Sequence, residues 1–295
     1  MKKLLLTLLL LVGLSVSARE LVLVSPGTPG GGQESTIRKL QALLETVLNY
    51  PVIVEYHPGG DGAVAANYLL NANQPSRIYI MIHNLGSMMN KSPIIVPISY
   101  LGSQSSFMAV RPDFKTDITD CQDTRPIFVG TPGGGNTAGY MMIKMLEPHC
   151  SKKFINVPYK GGSQAIVDVL AGNIDMFIGS YAASSAYVQA GTLKIAAEIG
   201  TTRSQLYNDV PMFRFDLYKK MPNPLAWYVF ATKNTDTRDI EQALETIYNL
   251  PEFQEFQQKN GVVRQVTAKS GAEQFIIDAD KLAKILQKQV DKTAN

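Results

Sequence analysis

Two turns carry the residues best suited to chemistry. The first reads Pro26-Gly27-Thr28-Pro29-Gly30-Gly31-Gly32-Gln33, and the second Gly130-Thr131-Pro132-Gly133-Gly134-Gly135-Asn136-Thr137. Each lies between an apolar run that reads as a strand and a segment with helical periodicity. Glycine lets a backbone approach a ligand closely. The helix start that follows offers unsatisfied N–H groups and a partial positive charge. Such a turn can bind an anion without any formally charged side chain. A matched pair facing each other suits a small anion, with a carboxylate at each end. The structural alternative is that strand–helix turns simply contain glycine.

Other chemistries find less support. Gly133-x-Gly135-x-x-Ala138 fits the relaxed dinucleotide fingerprint, but the next strand ends Asn156-Val157-Pro158-Tyr159 without the acidic residue that would hold a ribose. The phosphate-binding Gly-Lys-Ser/Thr motif is absent from the sequence. His57, His83 and His149 are isolated, with no metal-binding spacing and no nucleophile elbow. No catalytic residue, metal site or cofactor is therefore expected. His57 is expected to brace its loop, and Asp61 to cap the helix that follows it. Val157-Pro158-Tyr159-Lys160-Gly161-Gly162-Ser163 is a third strand-to-helix loop, and it makes Tyr159 a candidate for ligand contact. Ser180 occupies an equivalent strand end, and Asn84 and Ser87 follow a strand of the first block. The methionines Met88, Met89, Met141, Met142 and Met145 read as core filling.

The elements that must position these loops alternate between strand and helix, as in α/β layering. The periodicity predicts strands over Leu21–Ser25, Val52–Tyr56 and Ile78–Ile82. The first helix carries Ile37, Leu40, Leu43, Leu44, Val47 and Leu48 on one face, and the second runs from Ala63 to Asn71. The pattern restarts with strand Ile127–Gly130, helix Thr137–Leu146, strand Phe154–Val157, helix Ser163–Leu170, strand Ile174–Ile178, helix Ala182–Gln189 and strand Leu193–Ile199. After an irregular stretch around Pro211, Pro222 and Pro224 comes a strand, Trp227–Ala231, and then three helices. The last of them places Phe275, Ile276, Ala279, Leu282, Ile285 and Leu286 on one face. These terminal elements are expected to return to the first lobe. That gives one lobe over residues 19–120 plus 226–295 and a second over 121–225, with crossings near Arg111–Asp120 and Met221–Trp227 and a ligand cleft between them.

Length and composition agree. The chain has 295 residues, 45 % hydrophobic and 18 % charged, enough for two ordinary cores. Residues 1–18 read as a signal peptide: Lys2-Lys3, an apolar run from Leu4 to Val16, and the small ending Val16-Ser17-Ala18. The net charge is +3, and removing the leader with its two lysines leaves +1. A nearly neutral chain without basic clusters gives no reason to expect nucleic acid binding. Cys121 and Cys150 flank a strand–loop–helix unit whose ends come together, so a disulfide is expected in an oxidising compartment, worth roughly 3.5 kcal/mol. The alternative is two buried thiols.

The order of motifs is similar to one family. Pro29-Gly30-Gly31 with Arg38, Pro58-Gly59-Gly60-Asp61-Gly62-Ala63, the second Gly-rich turn, Val157-Pro158-Tyr159-Lys160-Gly161-Gly162, and Gly172-Asn173-Ile174-Asp175-Met176 resemble the Bug receptors. These are the TctC group, the periplasmic solute-binding proteins of tripartite tricarboxylate transporters. Asp209-Val210-Pro211 and Gly191-x-Leu193-Lys194 match as well. The resemblance implies a two-lobed α/β fold of the type II periplasmic-binding-protein, or Venus-flytrap, kind, each lobe a mixed sheet flanked by helices. It also implies a monomeric, periplasmic receptor that closes on a small organic anion, a carboxylate or an amino acid, and works with membrane transporter subunits. The ligand set it implies is Thr28, Gly30, Gly31 and Gln33 from one lobe, and Thr131, Gly133, Gly135, Asn136 and Thr137 from the other. This chain departs from the family pattern at Glu34, where the family usually has Asp, at Gly139, where His is common, and at Gly179, where many members carry Asp. A ligand sensor without transport and an exported hydrolase with a scattered active site are the competing functions.

Overall fold

Four successive side chains, Leu21 to Val24, are almost wholly buried, as expected of a strand with helices on both faces. Leu21 and Leu23 point into one core and Val22 and Val24 into another. That alternation organises the first half of the computed structural model. It describes residues 19–30, 33–84, 88, 93–118, 120, 122, 124–132, 143, 152–200, 203–204, 206–213, 226–264 and 273–281.

The first sheet has the order β12-β4-β11-β3-β1-β2. Its strands are β1 (Glu20–Ser25), β2 (Val52–Tyr56), β3 (Arg77–Asn84), β4 (Ile95–Gln104), β11 (Ala226–Thr232) and β12 (Val262–Val263). β2, β1 and β3 are parallel, while β11 is antiparallel to both β3 and β4. Helix α1 (Glu34–Leu48) covers one face with Ile37, Leu40, Leu43 and Leu44, and α2 (Ala63–Asn71) covers the other with Ala65, Ala66 and Leu69. Val47, expected on the packed face of α1, is exposed.

The second sheet has the order β10-β9-β5-β8-β6-β7. It contains β5 (Ser106–Val110), β6 (Ile127–Pro132), β7 (Phe154–Tyr159), β8 (Met176–Gly179), β9 (Lys194–Ile199) and β10 (Met212–Phe213). Helices α3 (Gly162–Ala171) and α4 (Tyr181–Gln189) follow β7 and β8. The two sheets repeat one plan: β2-β1-β3 and β7-β6-β8 are parallel, and each is continued by an antiparallel strand. Both sheets are thus mixed.

One boundary differs from expectation. β5 belongs to the second sheet, so the chain crosses at Ser105, well before Arg111–Asp120. All five β5 residues are buried between two neighbours, and that burial places them in the second sheet. The strands β4 and β5 have no sequence-based counterpart above. The later crossing passes through residues 214–225, outside the described set.

The C-terminal elements return to the first sheet. α5 (Arg238–Tyr248) and α6 (Pro251–Lys259) bury Ile240, Leu244, Ile247 and Phe253 against α1 and β11. A further helix, α7 (residues 273–281), packs Phe275 and Ala279 on the opposite core. Ile276 lies outside that face, 67 % exposed, and Asp278 is buried instead. The reason is polar: Tyr228, fully buried on β11, donates its hydroxyl to Asp278 Oδ2 at 2.9 Å. Burial and the neighbouring carboxylate together push the Tyr228 hydroxyl far above its ordinary pKa, so it remains a donor. Tyr228→Phe removes that donor from a buried carboxylate and is expected to cost about 1–3 kcal/mol, read as a lower urea midpoint at constant slope.

Candidate functional site

The C-terminal ends of β1 and β7 bring two loops face to face. On the first, Ser25 is buried at the strand end, and its Oγ accepts the Gly27 N–H at 3.3 Å, which fixes the start of the turn. Gly30 has φ +74°, and nothing lies within 4 Å of where its side chain would project. Gln33 occupies the N-cap position of α1, and its buried Oε1 has no hydrogen-bond partner among the described residues.

The acid at this loop is engaged. Both carboxylate oxygens of Glu34 accept the Tyr56 hydroxyl, at 2.5 and 2.6 Å, and Oε1 also accepts Arg38 Nε at 2.8 Å. Arg38 reaches Gln41 and the Tyr56 oxygen as well. The Glu34 hydrogen bond raises the Arg38 pKa further. Glu34 thus ties α1 to β2, and its charge is offset locally.

Across the gap stands the β7–α3 loop. Ser163 Oγ donates to the Gly30 carbonyl at 3.4 Å, and a Cβ built on Gly161 would lie 3.1 Å from Thr28 Oγ1. The first Gly-rich turn therefore contacts Ser163 and lies beside Gly161 across the boundary between the two sheets. The partner expected for that turn was the second Gly-rich one. Gly31, Gly133, Gly135, Asn136 and Thr137 lie outside the described residues, as do Gly134, Ser87, Cys121 and Cys150.

Several candidate side chains are committed to structure. Thr131 is fully buried and donates its hydroxyl to Asn156 Oδ1 at 2.7 Å, which stitches β6 to β7. Tyr159 donates to Asp168 Oδ2 at 2.5 Å. Its ring crowds Gly130, whose Cβ would lie 3.2 Å from Tyr159 Cε2. Partial burial first, then the Asp168 hydrogen bond, pushes the Tyr159 hydroxyl up to about 12, while that same bond draws Asp168 below the ordinary carboxylate range. Tyr159 therefore braces α3 against β7. Asn84 ends β3 opposite Trp227 and is 7 % exposed. Ser180 is the half-buried N-cap of α4 and makes no side-chain capping bond.

Gly179 has a steric cause, because a Cβ there would lie 2.2 Å from Phe177 Cζ. The phenyl ring occupies the space an acidic side chain would need. His57 stacks on Tyr68 at 3.7 Å between ring centroids, and Tyr68 donates to Glu55, so His57 braces its loop. The N-cap of α2 is Gly62, with φ +81° and no side-chain cap. No metal-binding cluster of His, Cys, Asp or Glu occurs among the described residues.

The family described as "Tripartite tricarboxylate transporter family receptor" matches residues 36–292. The chain belongs to this family. Protein BugT of Bordetella pertussis is 22 % identical over 252 residues, covering 78 % of this chain and 77 % of the relative. The solved periplasmic binding protein BugD superposes with a TM-score of 0.75 at 19 % identity, over 92 % of this chain and 97 % of that one. A structure of an R. palustris protein with adipate gives 0.75 at 17 % identity, over 92 % and 96 %. The two-sheet architecture is thus the two-lobed fold of these binding proteins, and the facing loops lie between the lobes. The contacts that sequence reasoning missed, Gly161 and Ser163 against Thr28 and Gly30, carried one signal in advance: a Gly-Gly-Ser run at the end of a strand.

Proposed function

We propose that the chain is a periplasmic receptor that captures a small organic carboxylate between its lobes and hands it to a tripartite tricarboxylate-type transporter. The observation that carries this reading is the contact of loop 26–33 with residues 161 and 163 across the lobe boundary. A ligand seated there touches both lobes at once, so its binding energy favours the closed arrangement. Family membership supports the receptor role, and the leader-like residues 1–18 support export. The adipate held by the R. palustris protein is the chemistry proposed for this cleft. Because Phe177 fills the space beside Gly179, the favoured ligand is a plain carboxylate without an ammonium group that would need an acidic partner there.

Screening mono-, di- and tricarboxylates and amino acids by thermal shift tests this. At a hundred times its Kd, a ligand adds about 2.7 kcal/mol to stability, a rise of roughly 5–10 °C for a chain of this size. At least one carboxylate is expected to give that rise with one-to-one stoichiometry by calorimetry and without turnover. A flat panel, or steady consumption of the ligand, refutes the reading.

A further inference from the structure

A second cavity, of about 460 Å³, opens where the lobes meet on the side of α6 and β12. Arg203 and Ser204, which follow β9 of the second sheet, line it from one side. Tyr248, Gln258, Gly261 and Arg264 line it from the first-lobe side. No described residue of loops 26–33 and 159–163 takes part.

The two arginines are held in place with donors to spare. Arg203 Nη1 donates to the carbonyls of Tyr207 at 3.0 Å, Asn208 at 3.4 Å and Val210 at 2.9 Å. Its segment is pinned from below, because Oε1 of the fully buried Glu198 accepts the Ser204 N–H at 2.6 Å. Arg264 lies 4.1 Å from the Tyr248 ring centroid, and its Nε donates to the Tyr100 carbonyl at 3.3 Å. Its Nη2 reaches Glu245, a mostly exposed residue, at 3.4 Å. A guanidinium carries five N–H donors. Arg203 Nε and Nη2 and Arg264 Nη1 make no hydrogen bond among the described residues. Ser204 is 2 % exposed, and its hydroxyl has no partner among them either. Among the described residues, the carboxylates paired with these cations are Glu198, 3.9 Å from Arg203, and Glu245.

We propose that this crevice is a second binding site, for a small oxyanion with two negative charges, inorganic phosphate or a short dicarboxylate. Forked, preorganised guanidinium groups match the paired oxygens of such ions. Arg203 follows β9 of the second sheet and Arg264 follows β12 of the first, so the crevice draws its cations from both lobes.

Calorimetric titration of the mature chain with inorganic phosphate, and separately with malonate, tests the proposal, with acetate as the singly charged control. Gln258→Glu, at an exposed residue whose side chain makes no hydrogen bond among the described residues, places a negative charge, like that of the anion, in the crevice. Arg264→Gln removes one of the two cations. Repeating the titration with the cleft saturated by the carboxylate that gives the largest thermal shift separates the two places. Saturable binding of at least one dianion is expected in the unmodified chain, weakened about tenfold or more in Gln258→Glu and in Arg264→Gln, and persisting when the cleft is full. Phosphate alone, malonate alone, or both binding in this way identifies the source. Binding that ignores Gln258→Glu, that is competed away by the cleft ligand, or that does not saturate for either dianion overturns the proposal. Competition by the cleft ligand would assign the ion to the cleft and leave the receptor reading standing.

Discussion

Gly161→Val is expected to weaken capture of the cleft ligand on the order of 10- to 100-fold while the ligand-free protein melts within a few degrees of the unmodified chain. Gly161 has φ −158° and ψ +161°, extended backbone that any residue adopts, so the substitution imposes no local strain. Its Cβ would stand 3.1 Å from Thr28 Oγ1 on the other lobe. Alanine meets only the end of a side chain that can rotate away, so Gly161→Ala should cost little. Valine adds two methyl groups where the lobes touch. Overpacking of this kind costs about 1–3 kcal/mol, and about 1.4 kcal/mol is tenfold in affinity. The lobes relieve it by standing further apart, because nothing covalent holds these loops together. Calorimetry with the carboxylate found by thermal shift reads the affinity, and small-angle scattering at saturation reads a larger radius of gyration. Unchanged affinity in the valine variant would mean that the loops need not approach this closely to bind.

Gly62→Ala is expected to be the most damaging single methyl in the first lobe. Gly62 precedes α2 with φ +81°, and a Cβ there would fall 2.1 Å from His83 Nε2 and 2.3 Å from its Cδ2. His83 is itself buried on β3, and its Nδ1 accepts the Asn84 N–H at 2.8 Å, so it has little freedom to retreat. Left-handed backbone costs a non-glycine residue about 1–2 kcal/mol, and overpacking adds about 1–3 kcal/mol. Together these lower the melting temperature by roughly 10 °C. Gly191→Ala is the matched control: φ is +71°, and nothing lies within 4 Å of the new carbon. It carries the backbone cost alone, and the difference between the two variants isolates the His83 contact. Equal losses at both positions would show that His83 moves aside freely.

The parallel parts of both lobes were legible because each strand is a short apolar run closed by glycine or proline. Leu21–Val24 and Ile127–Val129 sit under helices with clear periodicity, and the structure places them as read. The crossing strands were not legible. Ile95–Gln104 contains Pro97, Gly102 and three polar residues, and it pairs with β11 through register shifts that blur any alternation. Helix α7 misled for another reason. Its apolar residues suggest a face that includes Ile276, whereas the buried face is fixed by Asp278 reaching Tyr228, a partner fifty positions earlier. At the lobe boundary, glycine spacing marked loop 26–33, but its neighbour was expected to be the second Gly-rich turn, and among the described residues it is the loop that leads into α3. Which hydroxyls remain available could not be read, because Thr131 and Tyr159 are claimed by Asn156 and Asp168, contacts made only once the sheet and helix assemble.

The strand β11 lies between β3 and β4, although more than a hundred residues separate it from them in sequence. During synthesis the first 104 residues therefore carry two bare strand edges and half-covered cores until residue 232 has emerged, over three quarters of the way along the chain. The second sheet draws every strand from residues 106–213 and can close alone, whereas the first must wait for β11. The amino-terminal half therefore stays threadable until late, the condition a polypeptide must keep if it is to pass through a narrow channel before settling.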